Sequence, residues 1–282
     1  MLLIVLSASG FGAVPIFASM ATSAGARLLN VLAWRYAIGA LLLMVAAGGM
    51  RMLRVPARQL FGVLVLAGGA QAFIAFTSLS ALDYMPAAPL SFLFYTYPAW
   101  VAVLAAVRGS ERLTRPRLLA LGLSLAGIAI MVGAPAARGL QPTGVALALV
   151  SAFAYALYIP LIGWYQQQIA ETAVAVYAAL GAGVFLFGID VITGGISAHM
   201  NLAAWEAVLA LAVWSTVVAF LAFLRGLRTL GPVRTAIVST IEPFWTAMLG
   251  ALLLGQPASS STIEGGTLIA AAVILLQWQA RD

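Results

Sequence analysis

A chain of 282 residues that is 63% hydrophobic, only 8% charged and has a mean hydropathy of +1.07 cannot present a soluble surface, which needs roughly a quarter of its residues charged. Its net charge of +6 is the balance of 14 arginines, with no lysine, against 8 acidic residues, and the arginines gather at the ends of apolar runs, where they meet lipid headgroups and fix orientation rather than grip nucleic acid. The absence of cysteine excludes disulfides and thiolate metal sites.

At about twenty residues per span plus short loops, the chain divides into about ten membrane helices and leaves no room for a soluble domain. Apolar runs predict spans at 2–20, 29–49, 59–80, 86–107, 117–133, 142–165, 172–191, 203–224, 232–254 and 263–279. Runs this long are helices, because only helices and closed barrels satisfy their backbone in lipid, and barrel strands would alternate polar with apolar residues. Met1 leads straight into apolar sequence without the basic lead-in of a signal peptide, so the first run is expected to remain as a helix.

The chain reads as one unit written twice. Tyr97-Pro98-Ala99-Trp100 returns 145 residues later as Glu242-Pro243-Phe244-Trp245, and at the same offset Pro15 meets Pro160 and Gln71 meets Thr216. Gly133 to Gly139 has the composition of a linker. The division is therefore a first five-helix repeat over 1–133, a linker over 134–141 and a second repeat over 142–282.

An odd number of helices per repeat forces the second copy to enter the membrane from the opposite side, so the two copies should carry opposite loop charges. Arg108, Arg112, Arg115 and Arg117 follow the fourth span, whereas the equivalent loop from Leu253 to Thr262 has no arginine. Before the fourth span the loop holds only Asp83, whereas its counterpart holds Arg225, Arg228 and Arg234. Arg51, Arg54 and Arg58 join the same side, and Arg27 and Arg138 lie opposite. By the positive-inside rule both termini face the cytoplasm of a bacterial-type inner membrane. The expected fold is an all-α integral membrane protein of ten transmembrane helices, built as two inverted five-helix repeats, with a substrate site near the midplane where they meet.

Glu242 and Arg35 are the ionisable residues expected at membrane depth, where a charge costs at least about 2.5 kcal/mol and normally faces a cavity or a partner. Glu242 lies eight residues beyond Arg234, about 12 Å deeper at 1.5 Å per residue. A carboxylate there can carry a proton, read a substrate amine or pin its helix to a neighbour. Arg35 can serve substrate or structure. Tyr97 and Trp100, like Glu242 and Trp245, are three apart and share a helix face. These faces are expected across a central cavity, with Gln71 as a polar group and Tyr155 and Tyr158 as an aromatic face just before Pro160. His199 stands alone without a metal-ligating cluster, no phosphate-binding loop with lysine exists, and a serine nucleophile would find no base at depth but Glu242. No metal, cofactor or enzymatic activity is expected, and the partners are a small-molecule substrate and membrane lipid, with a monomer as the default.

The pattern resembles the EamA family of the drug/metabolite transporter superfamily. The residues that carry the likeness are Trp34-Arg35-Tyr36, Leu82, Pro86-Ala87-Ala88, Pro98 and Gly109-Ser110-Glu111, then Gly226-Leu227, Glu242-Pro243 and Gly255. Ser9 stands where the family often has tryptophan, and Gln256 where a glutamate usually follows the glycine. The resemblance implies secondary export of amino acids or other small metabolites, and sometimes drugs, through a cavity between the halves. Aromatic walls favour amphipathic cargo, with bulky amino acids and cationic drugs as the alternatives; a membrane scaffold without transport activity, or an embedded enzyme, is the alternative from another class.

Overall fold

The computed structural model describes residues 1–49, 54–85, 90, 93–110, 113–132, 141–194, 197–255 and 260–278. Most of the linker at 134–141, the start of the 86–107 span with Pro86-Ala87-Ala88, and Arg51, Glu111, Arg112, Arg138 and Gln256 lie outside the described residues.

Every regular element among the described residues is helical. In chain order they are α1 (Leu2–Gly12), α2 (Val14–Ser23), α3 (Leu28–Ala46), α4 (Ala57–Gly62), α5 (Gly68–Ser80), α6 (Tyr97–Val107), α7 (Arg115–Val132), α8 (Pro142–Gln166), α9 (Glu171–Thr193), α10 (Leu202–Ala210), α11 (Ala219–Leu230), α12 (Pro232–Ser239), α13 (Glu242–Leu254) and α14 (Ser260–Trp278). Among the described residues, seven stretches are long and apolar enough to cross a membrane: Leu2–Ser23, Leu28–Ala46, Ala57–Ser78, Pro142–Gln166, Glu171–Thr193, Leu202–Leu230 and Pro232–Leu254. The protein is an all-α, multi-pass membrane protein.

Three local devices interrupt these rods. Wider π turns at Val63–Ala67 and Leu211–Val218 join α4 to α5 and α10 to α11. In the second, the Thr216 hydroxyl donates to the Leu211 carbonyl five residues back at 3.2 Å. The third device surrounds the repeated prolines. At Pro98 and Pro243 each helix stops for a two-residue turn, at 95–96 and 240–241, and restarts with proline in second position. Proline has no N–H to continue the ladder but suits a first helical turn. The two restarts match in detail: Thr96 and Ile241 both have φ −73° and ψ −12°. The N–H of Thr96 reaches Leu93 O at 3.3 Å as that of Ile241 reaches Val238 O at 3.3 Å, and Ala99 reaches Thr96 O at 3.0 Å as Phe244 reaches Ile241 O at 3.1 Å.

The apolar run that seems to end near residue 224 continues to Leu230, because Leu224 and Leu227 stay buried beneath the outward Arg225 and Arg228. Gly231 then ends it with φ +75°, a left-handed conformation that a Cβ disfavours.

Packing follows a reciprocal scheme. α8 lies on α5 as α1 lies on α11, and α6 lies on α8 as α13 lies on α1. The pairs α3 with α9 and α7 with α14 pack helices that lie about 145 residues apart in the sequence. Between α7 and α14, buried Ala120, Ser124 and Gly127 face buried Gly265, Ile269 and Ala272, each 145 residues away from its counterpart. A Cβ on Gly127 would lie 2.6 Å from the Gly265 carbonyl oxygen, so only glycine permits this approach. Lipid supplies no hydrophobic drive for helix association, and such close backbone contact supplies dispersion energy in its place.

Candidate functional site

A cavity of about 270 Å³ lies among α1, α2, α3, α5, α8 and α11, closed at one side by the turn before α6 and by the first residue of α13. Its wall is mostly aromatic and aliphatic, with Glu242, Arg35, Gln71 and Ser78 as the polar exceptions. Pro15, Ala18, Leu32 and Ser78 place it in the half of the molecule that carries the connections at 24–27 and around 81–85, away from the ends bearing Arg58, Arg108 and Arg228.

Glu242 enters this wall because the helix restarts on it. It is buried, its Oε2 accepts from the Tyr95 hydroxyl at 3.3 Å, and its Oε1 has no partner among the described residues. Tyr95 belongs to the turn before α6, so two equivalent helix breaks supply the two partners of one hydrogen bond. Around them Phe94 stacks on Tyr155 at 5.6 Å between centroids, and Tyr155 stacks on Tyr158 at 6.0 Å.

The opposite wall is α3. Arg35 is buried; its Nε donates to Thr216 Oγ1 at 2.9 Å, and its guanidinium carbon lies 4.9 Å from the Tyr36 ring centre. Gln71 Nε2 donates to the Tyr36 hydroxyl at 2.9 Å and leaves Gln71 Oε1 without a partner among the described residues. Gln71 and Thr216, equivalent by the 145-residue offset, thus each hold one of two consecutive residues of α3.

Of the side chains that the sequence singles out, the cavity gathers Glu242, Arg35, Gln71 and Tyr158, together with Tyr155. The other three stand elsewhere. Tyr97 is fully buried behind the wall, its ring 4.7 Å from that of Tyr155. Trp100 is 39% exposed on the outer surface, edge-on to Phe153. Trp245 is half-buried where α13 crosses α1 at Gly12. Residues three apart on a helix still differ in direction by about 60°, and the edge of the buried face falls between Tyr97 and Trp100 and between Glu242 and Trp245. Tyr95 escapes a reading of helix faces because it sits in the turn, although a tyrosine two residues before Tyr97 is a visible signal. Asp190 is also missed: it ends an apolar run, yet it is fully buried and ion-paired with Arg27 at 3.3 Å.

A larger crevice of about 680 Å³ opens between α8 and the ends of α6 and α11, and the described residues that line it include no acidic group. Among the described residues no three His, Asp or Glu side chains are grouped to hold a metal ion.

Long apolar helices around a small internal cavity with one acidic and one basic side chain define a multi-pass membrane protein with a polar site inside it. The model of the EamA-like transporter family matches residues 1–133 and 142–278, and the chain belongs to that family. It is 27% identical over 283 residues to an uncharacterized transporter of Archaeoglobus fulgidus, covering 98% of this chain and 95% of that protein. It is 26% identical over 182 residues to the uncharacterized transporter YcbK of Bacillus subtilis, covering 62% of this chain and 58% of that one. A crystal structure of 20% sequence identity superposes with a TM-score of 0.83 over 99% of this chain and 96% of its own, a likeness of fold.

Proposed function

We propose that the protein is a secondary active transporter that exports small amphipathic metabolites, amino acids first among them, by alternating access around the cavity. The observation that carries this reading is the pairing of Glu242 and Arg35 in one buried aromatic space. A zwitterion fits it, with the ammonium toward Glu242 and Gln71 and the carboxylate toward Arg35. Glu242 Oε1 and Gln71 Oε1 are buried acceptors without partners among the described residues, each costing about 1–3 kcal/mol, and an amine donor would remove that cost. Tyr155 and Tyr95 add cation-π attraction for the same group.

The volume favours a metabolite over a bulky drug: about 270 Å³ lies below the roughly 300–1,000 Å³ of drug-sized pockets. A second reading, export of cationic drugs, draws on the carboxylate and its aromatic neighbours, but Arg35 opposes a cargo without an anion.

Ten transmembrane helices in two inverted repeats, 1–133 and 142–282, are part of the same proposal. Its support is the matched helix restarts at Thr96 and Ile241, the reciprocal packing, the opposite loop charges and the two segments matched by the family model. An inner-membrane protein with both termini in the cytoplasm follows from the arginine distribution, and it leaves the cavity in the outer half. A chain that carries both halves completes its own site, so the working unit is a monomer.

The test is exchange in liposomes loaded with mixed amino acids, with labelled amino acids outside and Glu242→Gln alongside. Saturable uptake of a subset, with its pH dependence changed in the variant, is expected. Competition by quaternary amines but not by zwitterions would replace amino acids with cationic drugs. No exchange of either class by folded protein would overturn transport of both and return weight to a membrane scaffold.

A further inference from the structure

The crevice of about 680 Å³ shares no lining residue with the cavity around Glu242. Its floor is one side of α8, from Leu157 through Pro160, Leu161 and Trp164 to Gln167. Ten residues at 1.5 Å rise run about 15 Å along the membrane normal, from the rim into the hydrocarbon. Arg108, at the end of α6, and Arg228, on the last turn of α11, line it as well. Both are exposed, and among the described residues neither is ion-paired. Arg58 borders the neighbouring groove, which shares Leu161 and Trp164, and adds a third cation beside Arg108 and Arg228. The crevice is therefore cationic at its rim and apolar below, and Trp164, 52% exposed, forms the ridge between it and that groove.

We infer that this crevice is a binding site for one anionic phospholipid, its phosphate at Arg108 and Arg228 and an acyl chain along Leu157, Leu161 and Trp164. Charge complementarity chooses the occupant. Two exposed guanidinium groups at headgroup level prefer a net anion to a zwitterion, and apolar side chains below them prefer hydrocarbon to water. Gly163 opens the middle of the wall, since a Cβ there would meet only Leu227 at 3.7 Å, an ordinary contact. The bound lipid would bridge the ends of α6, α8 and α11.

Native mass spectrometry of the delipidated full chain, titrated with phosphatidylglycerol or phosphatidylethanolamine of equal chain length, tests this. One phosphatidylglycerol is expected to bind in clear preference. At roughly fivefold per arginine, Arg108→Ala with Arg228→Ala is expected to weaken it about 30-fold, while Arg54→Ala leaves it unchanged. Gly163→Leu, which fills the wall and keeps both charges, is expected to displace the lipid in folded protein. Equal affinity for both lipids, or unchanged binding in the double variant, would overturn the inference. Equally tight binding of glycerophosphoglycerol, which has no acyl chain, would overturn it in favour of a soluble anion. None of these readouts depends on transport.

Discussion

The Tyr95 hydroxyl lies 3.3 Å from Glu242 Oε2, and the two residues occupy equivalent interruptions of two different helices. The hydrogen bond crosses the cavity wall from the break before α6 to the break before α13. It joins the parts of each rod that the α ladder cannot stabilise, and it orients the one buried carboxylate of the site.

Tyr95→Phe keeps the ring and removes the donor. Hydrogen bonds to charged groups contribute about 1.5–3 kcal/mol, so exchange of the preferred substrate should fall roughly tenfold, with an altered pH profile. Tyr158→Phe, whose hydroxyl is unpartnered among the described residues, should leave the pH profile as it is. Initial rates across a pH series in the same liposomes compare the two.

Thr216→Val is close to isosteric and takes the acceptor from Arg35 Nε. A buried donor left unsatisfied costs about 1–3 kcal/mol, and the thermal midpoint in detergent should drop accordingly. Thr216→Ser, which keeps the oxygen, should recover most of the loss.

The same substitution at two glycines should have opposite effects. Gly39→Ala puts a Cβ 2.5 Å from Thr216 Cγ2, where α3 crosses the π turn, and overpacking of this kind costs about 1–3 kcal/mol. Gly122→Ala meets nothing within 4 Å and improves helix propensity by up to about 1 kcal/mol. Thermal unfolding of the pair decides the matter, and a stable Gly39→Ala would contradict the close crossing.

Arg27→Ala leaves Asp190 fully buried without its ion-pair partner. The side chain of Arg27 is 47% exposed, so water screens part of the loss, and about 1–3 kcal/mol is expected rather than the full cost of breaking a buried pair. Arg27→Ala combined with Asp190→Asn should be more stable than Arg27→Ala alone, because no buried charge remains unmatched.

Hydropathy makes the rods legible because a membrane imposes length and continuity on each of them. The forecast limits of 142–165 and 232–254 fall within a residue of Pro142–Gln166 and Pro232–Leu254. Depth makes Glu242 and Arg35 legible, since a charge far from a rim must face something other than lipid. Helix faces are less legible. Trp100 is three residues from Tyr97, yet one is 39% exposed and the other fully buried, because that spacing still turns a side chain by about 60° and the edge of the buried face falls between them. Tyr95 is hidden for another reason: its direction is set by a turn, which carries no periodicity to read.

The seam between α7 and α14 has one more implication. Two identical chains meeting about an axis must put the same residue on both sides, and every substitution then arrives twice. Here Ser124 has Ile269 as its counterpart and Gly127 has Ala272, so a hollow on one helix answers a bulge on the other. A single chain that carries both halves can tune each side by itself. Residues 1–133 and 142–282, made as two separate polypeptides, should accordingly find each other and reject a second copy of themselves.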